Sequence, residues 1–399
     1  GEDLVGREYC GVMGEALANV GEMVKARGRV LAGDFVSDVD GTGIVHIAPA
    51  YGEDDYGICQ ENGVGFVDVL DEYGYYLPEA AKKLHELGVR DTDERGIEIW
   101  AGNKFIAKCL EEKGIVWKIE YIKHEYPFNP RSKQRIMYRA FPSWFFDVQN
   151  QKTLMITQNE NVNWFPEYLK HGRFEKNIEQ APDWNLSRDR FWATAMPVWK
   201  GEKTGAIKVF GSYDELEKYS GKRLDDYHRP WVDEVEFDGI IAGTEILTEK
   251  EWEERVVEAE KTGADLSPVV KDHFKRIDKV LDCWFESGSM PFAQLHYPFE
   301  NKEKFERNYP ADFIVEYVGQ VRAWFYYVHC VNTALAEVGG FGEAAKGRAE
   351  KNAFKNVITT GTLAGNDGRK MSKSLGNYTD PNELMNQYSA DALRFLLLS

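Results

Sequence analysis

Lys370 and Lys373 stand three residues apart in Gly365-Asn366-Asp367-Gly368-Arg369-Lys370-Met371-Ser372-Lys373-Ser374-Leu375-Gly376-Asn377, with glycine and small polar residues on both sides. Ammonium groups on such a loop can follow a triphosphate and neutralise charge as pyrophosphate departs. Side chains as small as Ser372 and Ser374 let the backbone approach a nucleotide closely. A bare Lys-x-Ser-Lys is an ordinary basic turn. The full Lys-Met-Ser-Lys-Ser run, placed after a strand, is a candidate nucleotide loop.

The elements around the loop are those needed to hold it. Phe354 to Thr360 predicts a strand before it. Asp380-Pro381-Asn382-Glu383 predicts a helix start after it, with Asp380 as N-cap, Pro381 at the first helical position and Glu383 placed for a capping box. Further upstream, Ala311 to Val315 predicts a strand, and Val321 to Glu337 a helix with apolar residues nearly all round. This alternation over 183–399 predicts a parallel α/β sheet. The charged stretch from Glu245 to Lys279 reads as an inserted helical hairpin on the surface. Residues 1–120 are glycine-rich, with β-type runs at Gly43 to Ile47 and Gly65 to Leu70 and a helix over Ala101 to Lys113, and so predict a compact α+β unit. Val116 to Pro182 reads as aromatic and strand-rich, with Lys118, Lys123, Arg131, Lys133, Arg135 and Arg139 interleaved. Such a stretch can face RNA but more often forms a solvated sheet face.

With 399 residues, 43% of them hydrophobic, the chain can bury a large core, and its length suggests two or three domains. The net charge of −17 excludes a protein that wraps nucleic acid with its whole surface, though not a local RNA contact. Cys10, Cys59, Cys109, Cys283 and Cys330 are widely spaced, which excludes a disulfide scaffold and the usual structural zinc spacings. Reduced thiols in a cytoplasmic setting are the expectation. No apolar run is long enough for a membrane span. Gly1 in place of Met, and the apolar run Phe395 to Leu398 just before Ser399, read as the ends of a piece cut from a longer chain.

Lys370-Met371-Ser372-Lys373-Ser374 resembles the second signature of the class I aminoacyl-tRNA synthetases. Asp183-Trp184-Asn185-Leu186-Ser187-Arg188-Asp189-Arg190-Phe191-Trp192 is similar to the segment that opens the second half of their catalytic fold. Asp282-Cys283-Trp284-Phe285-Glu286-Ser287-Gly288-Ser289-Met290-Pro291, followed by His296-Tyr297-Pro298-Phe299-Glu300, resembles the isoleucine branch in particular. The resemblance implies ATP with substrate-bound Mg²⁺, isoleucine and its cognate tRNA as partners, a monomeric full-length ligase, and no zinc in this part of it. It implies that Lys370 and Lys373 are catalytic, that Lys370 through Ser374 hold ATP, and that Trp284, Glu316, Gln320 and Trp324 contact the amino acid or its adenylate. Either tryptophan alone would read as core packing. The family usually reads E-G-x-D-Q-x-R-G-W where this chain has Glu316-Tyr317-Val318-Gly319-Gln320-Val321-Arg322-Ala323-Trp324, so an expected aspartate is Gly319. Ala193 and Ala195 likewise replace a common glycine and proline.

Gly41-Thr42-Gly43-Ile44-Val45-His46-Ile47-Ala48-Pro49-Ala50-Tyr51-Gly52-Glu53-Asp54-Asp55-Tyr56 resembles the editing signature of the same family. There Asp55 would hold the ammonium of misattached valine, and His46 would wall the pocket against isoleucine's extra methyl. A second, hydrolytic site answers the limited discrimination of about 1–3 kcal/mol per methylene that an apolar slot affords. The expected architecture is α/β, the C-terminal half of a class I Rossmann-like catalytic domain plus part of an α+β editing domain. Its expected parts are 1–118 in the editing domain, 119–182 as connective segment, and 183–399 as catalytic core with an insertion near 236–279. The family's H-I-G-H signature and the threonine-rich editing wall do not occur in the sequence, so the chain alone is expected to be inactive. A valyl- or leucyl-type synthetase, or a non-catalytic RNA-binding module derived from one, are the alternatives.

Overall fold

The structure, a computed structural model, describes residues 2–9, 28–37, 42–121, 123, 125–130, 132–266, 268–342 and 350–398. Gly1, Cys10, Gly41, Arg131 and Ser399 of the reading above lie outside these. The chain divides into two compact units, Gly1–Pro142 and Ser143–Ser399.

Among its described residues the first unit has a short 3₁₀ helix at Glu2–Leu4 and three α-helices, α1 (Glu53–Glu61), α2 (Pro78–Glu86) and α3 (Ile99–Glu112). Glu53, Asp54 and Asp55 crowd the first turn of α1, where negative charge suits the helix dipole. The helix expected at Ala101 to Lys113 is α3, started by Glu98, whose carboxylate accepts the Ala101 N–H at 2.7 Å. Leu84, Val89 and Ile97 form a small core with Tyr76, Ile106 and Cys109. The two β-type runs are not strands. Residues 44–47 and 65–69 join no ladder, Gly43 turns in the left-handed region at φ +70, and Leu70 makes a single bridge to Tyr76. Among the described residues no partner strand pairs with 43–47, and Ile44 and Val45 are 62% and 50% exposed. The stretch from Val116 to Pro182 is not strand-rich either: up to Pro142 it joins no ladder beyond a Phe128–Arg135 bridge, with Trp117 and Tyr121 on the surface, and beyond that it is mainly helical.

The second unit begins with β1 (Phe145–Phe146), α4 (Val148–Asn159), β2 (Asn163–Phe165), a π-helical turn at Lys170–Glu175, and α5 (Lys176–Gln180). Next come β3 (Trp184–Asn185), β4 (Ser187–Arg188), β5 (Val198–Gly201), β6 (Ile207–Val209), α6 (Tyr213–Ser220), β7 (Phe237–Ala242), β8 (Glu245–Leu247), α7 (Glu249–Thr262), β9 (Val269–Arg276) and β10 (Val280–Leu281). The chain then runs through α8 (Cys283–Gly288), α9 (Met290–Ala293), α10 (Lys302–Asn308), β11 (Ile314–Tyr317), α11 (Trp324–Glu337), β12 (Asn356–Thr360), α12 (Pro381–Tyr388) and α13 (Ala390–Leu398).

The expected parallel sheet is present, with strand order β11-β12-β2. It packs on α11 and α4 around Met155, Trp164, Phe174, Phe325, Phe354 and Val357. The expected helical hairpin at 245–279 is not there. Its first half is α7, held by a full Thr248–Glu251 capping box and ended by left-handed Gly263. Its second half is β9, which belongs to an antiparallel sheet of order β6-β5-β9-β7-β8. That sheet has its own aromatic core of Trp199, Phe210, Phe237 and Phe274.

Candidate functional site

Strands β11 and β12 are adjacent and parallel, with Tyr317 opposite Thr360 at their carboxyl ends. Both candidate loops leave from there. After Tyr317 the chain makes a 3₁₀ turn over Val318–Arg322 and enters α11; after Thr360 it enters the lysine loop. The carboxyl edge of a parallel sheet is where open α/β proteins collect ligand-binding loops.

The lysine loop is a hairpin. Ala364 bridges Lys370, and the Gly365 N–H donates to the Arg369 carbonyl at 2.7 Å. At the tip, Gly368 adopts φ +75, and Asp367 pairs with Arg369 at 2.7 Å. Asn377 closes the base: its amide donates to Asp367 at 2.9 Å, and its oxygen accepts the Ser372 N–H at 2.9 Å. These contacts with Asn377 and Arg369 hold the Asp367 carboxyl below the usual carboxylate range. Gly365 is required, because a Cβ there would collide with the Asn377 backbone oxygen. The closed base leaves Lys370, Met371, Lys373 and Ser374 on the surface, and Ser372 and Ser374 share a hydroxyl contact of 2.7 Å. The cap expected at Asp380 forms through the Asn382 N–H at 2.7 Å.

Glu316 is exposed at the end of β11, its carboxylate accepting the Tyr317 N–H at 2.9 Å. Gln320 uses its side-chain oxygen to cap α11 at the Trp324 N–H, 3.0 Å away, which keeps its amide NH₂ as a donor. Trp324 donates its indole N–H to the Ser287 carbonyl at 3.1 Å and lines a cavity of about 230 Å³ with Met290, Pro291, Ile314, Val328 and Phe354. Trp284 stands on α8, stacked on Tyr327 at 5.2 Å and 14°, and is not among the lining residues. The two tryptophans thus grip the same helix pair, α8 and α11, from different positions. Asp282 joins two of the sequence motifs. It accepts the Trp284 N–H at 2.9 Å and the Trp184 indole N–H at 3.2 Å, and it pairs with Arg188.

Tyr317 went unremarked as a site residue. Its ring lies under Lys370, with Nζ 4.8 Å from the centroid. The only signal in the sequence is its departure from the usual glycine after Glu316. Among the described residues, Glu160, His171 and Glu175 bring three ligand atoms within 4.8 Å of one another, but the group is largely exposed and His171 already contacts Glu175 at 2.5 Å. It reads as a surface cluster of hydrogen-bonded side chains.

In the first unit, Asp55 reaches back from α1 to accept the Ala48 N–H at 3.1 Å, two residues beyond the exposed His46. The loop between them is pinned at Tyr51, whose hydroxyl donates to Asp68 at 2.7 Å and accepts the Val69 N–H at 3.1 Å. Arg139 grips the same carboxylate through Nε at 2.9 Å and Nη2 at 2.6 Å. Arg139, expected on a basic face, is therefore committed to a mostly buried ion pair. Burial pushes Asp68 up, but Arg139, Tyr51 and the Leu70 N–H together hold it below the usual carboxylate range. A depressed folded-state value adds stability above the unfolded carboxylate range that disappears as pH falls through the folded one. Arg139→Met is expected to cost this unit about 2 kcal/mol, read as faster amide exchange at Val69. Unchanged protection there would show that Arg139 is not the anchor.

An open parallel sheet with a cationic loop and a glutamate–glutamine pair at neighbouring strand ends has the layout in which α/β proteins collect ligand-binding loops. The chain belongs to the class I tRNA synthetases (I, L, M and V), whose family model matches residues 73–399. It is 38% identical over its whole length to an isoleucine–tRNA ligase of Wolbachia from Brugia malayi, of which it spans 30%. It is 38% identical over 99% of its length to the isoleucine–tRNA ligase of Rickettsia canadensis, and 39% identical over 93% to that of Nocardia farcinica, covering 32% and 31% of them. The chain thus spans about a third of the length of these relatives. Among solved structures, a Mycobacterium tuberculosis methionyl-tRNA synthetase bound by methionyl-adenylate aligns with 68% of this chain and 36% of its own, at 15% identity and a TM-score of 0.35.

Proposed function

We propose that the chain forms the second half of the activation site of an isoleucine–tRNA ligase, with 1–118 contributing to a valine-editing domain and 119–182 connecting it to the core. The observation that carries this reading is the convergence of Glu316, Gln320 and the Lys370–Ser374 loop on the carboxyl ends of β11 and β12. In this reading the substrates are isoleucine, ATP with Mg²⁺ on its phosphates, and the cognate tRNA. Lys370 and Lys373 neutralise the triphosphate as isoleucine's carboxylate attacks the α-phosphorus and pyrophosphate leaves. Glu316 and Gln320 orient the amino acid and its adenylate. Trp324 supplies an apolar wall beside Met290 and Pro291, and Trp284 flanks it from α8. His46 and Asp55 serve editing, Asp55 by a charge-assisted bond to the valine ammonium.

Isoleucine-dependent ATP–pyrophosphate exchange tests the reading, on the chain alone and with a separately supplied segment carrying H-I-G-H. Exchange is expected in the second arm, selective for isoleucine over leucine. Lys370→Ala and Lys373→Ala should each lower it roughly tenfold to a hundredfold. A folded chain silent in both arms, yet binding tRNA, would replace this reading with a non-catalytic RNA-binding module.

A further inference from the structure

We infer that Tyr317 is a positioning residue for Lys370, and that Gly319 is the residue that makes room for it. This rests on the nucleotide-site reading above. The Lys370 ammonium lies 4.8 Å from the Tyr317 ring centroid, although Tyr317 ends β11 and Lys370 sits in the loop after β12. An ammonium over an aromatic face is attracted by the ring quadrupole. The ring is aimed by its neighbours. Tyr317 is the last residue of β11, its backbone held opposite Thr360, and its N–H donates to Glu316 at 2.9 Å. The ring then folds over position 319, where a Cβ would collide with its Cε2, Cζ and hydroxyl. Gly319 has no positive-φ requirement, so space rather than backbone conformation demands glycine here.

The two departures from the usual E-G-x-D pattern are therefore one exchange. A large side chain at 317 occupies the volume that a side chain at 319 would otherwise fill. A carboxylate is traded for an aromatic face, and the partner of that face is the first lysine of the loop. Lys370 is exposed, and as a flexible side chain it would otherwise sample many rotamers. Held over Tyr317, its ammonium stays at the carboxyl edge of the sheet before nucleotide arrives. The ring and the loop's own Asn377 closure thus restrain the lysine from two sides.

The test uses the 399-residue chain with its lysines reductively methylated with ¹³C, which keeps their charge, and assigns the Lys370 signal by its loss in Lys370→Arg. Without nucleotide, that signal is expected upfield of the other lysines because of the ring current. It should stay there in Tyr317→Phe and return to the common position in both Tyr317→Leu and Gly319→Ala. Far-UV circular dichroism confirms that each variant is folded. With ATP and the separately supplied H-I-G-H segment added, the signal should move, and the ATP dissociation constant should rise about two- to fivefold in Tyr317→Leu and Gly319→Ala but not in Tyr317→Phe. A Lys370 signal already at the common position in the unmutated chain would overturn the inference. So would ATP binding indifferent to Tyr317→Leu. A ring-dependent Lys370 signal that ATP never moves would instead overturn the nucleotide-site reading beneath it.

Discussion

Gly288→Ala is expected to destabilise the second unit by about 3 kcal/mol, at the upper end of what overpacking costs. A Cβ at this position would lie 2.8 Å from the Tyr327 carbonyl oxygen and 3.1 Å from Val331 Cγ2. The first of these is backbone and cannot swing aside, so α8 and α11 must part. Their separation also strains two bonds that cross the seam, Asn332 Nδ2 to the Gly288 carbonyl at 2.8 Å and the Trp324 indole to the Ser287 carbonyl at 3.1 Å. The cavity wall at Trp324 therefore moves with the helix. Urea unfolding followed by tryptophan fluorescence reads this unit selectively, because only Trp100 and Trp117 of the 11 tryptophans lie outside it. Gly172→Ala is the internal control. It is helical with open space at its Cβ, so alanine there should be neutral or stabilising by under about 1 kcal/mol. Equal midpoints for the two variants would disprove the close approach of the helices.

The second large effect is a loss of stability on mild acidification that traces to His329. This side chain is fully buried on α11, and its Nε2–H donates to the Met155 carbonyl at 2.8 Å, since that oxygen can only accept. Burial drives its pKa down to about 4 from the ordinary value of 6.5. A histidine that is neutral when folded and readily protonated when unfolded stabilises the fold above the unfolded value. That contribution drains away as pH falls from 6.5 towards 4, because the unfolded state binds the extra proton. The sum over that window is on the order of 3 kcal/mol. Unfolding midpoints at pH 7 and at pH 4.5 should diverge for the native chain by more than for His329→Gln, whose amide can keep the Met155 bond without titrating. Parallel pH profiles would mean that His329 protonates in place without cost.

Much of this was legible in the sequence where local chemistry and tertiary structure agree. Helix α3 ends at Glu112, two residues before left-handed Gly114, and α12 begins at Asp380-Pro381, because capping groups lie next to the backbone they serve. The parallel sheet could be read from its alternation with helices, although β11 is shifted three residues towards Tyr317. Strand β9 was illegible for a physical reason. Its inward set is Asp272, Phe274 and Arg276, so two of three buried positions are charged and no apolar alternation shows. Asp272 is buried because the Thr204 hydroxyl and the N–H groups of Lys203, Thr204 and His273 outweigh its desolvation, taking its pKa to about 2. At the candidate site, the lysine loop and the Glu316-to-Trp324 run could be found by motif. The contact between Tyr317 and Lys370 could not, because it depends on two strand ends being neighbours.

The order of the parallel sheet also bears on how the chain is made. Its middle strand, β12, is the last of the three to be synthesised, and it must pair on one side with β2, some 193 residues earlier, as in the Asn163–Asn356 side-chain contact. At roughly 5–20 residues per second, β2 leaves the ribosome about 10–40 s before β12, its ladder partner among the described residues, exists. During that interval Trp164 and Phe165 wait for β12, and sequence separation of this size slows folding as well. In a nascent chain of this protein, this face of the sheet is completed only once residues 356–360 have emerged.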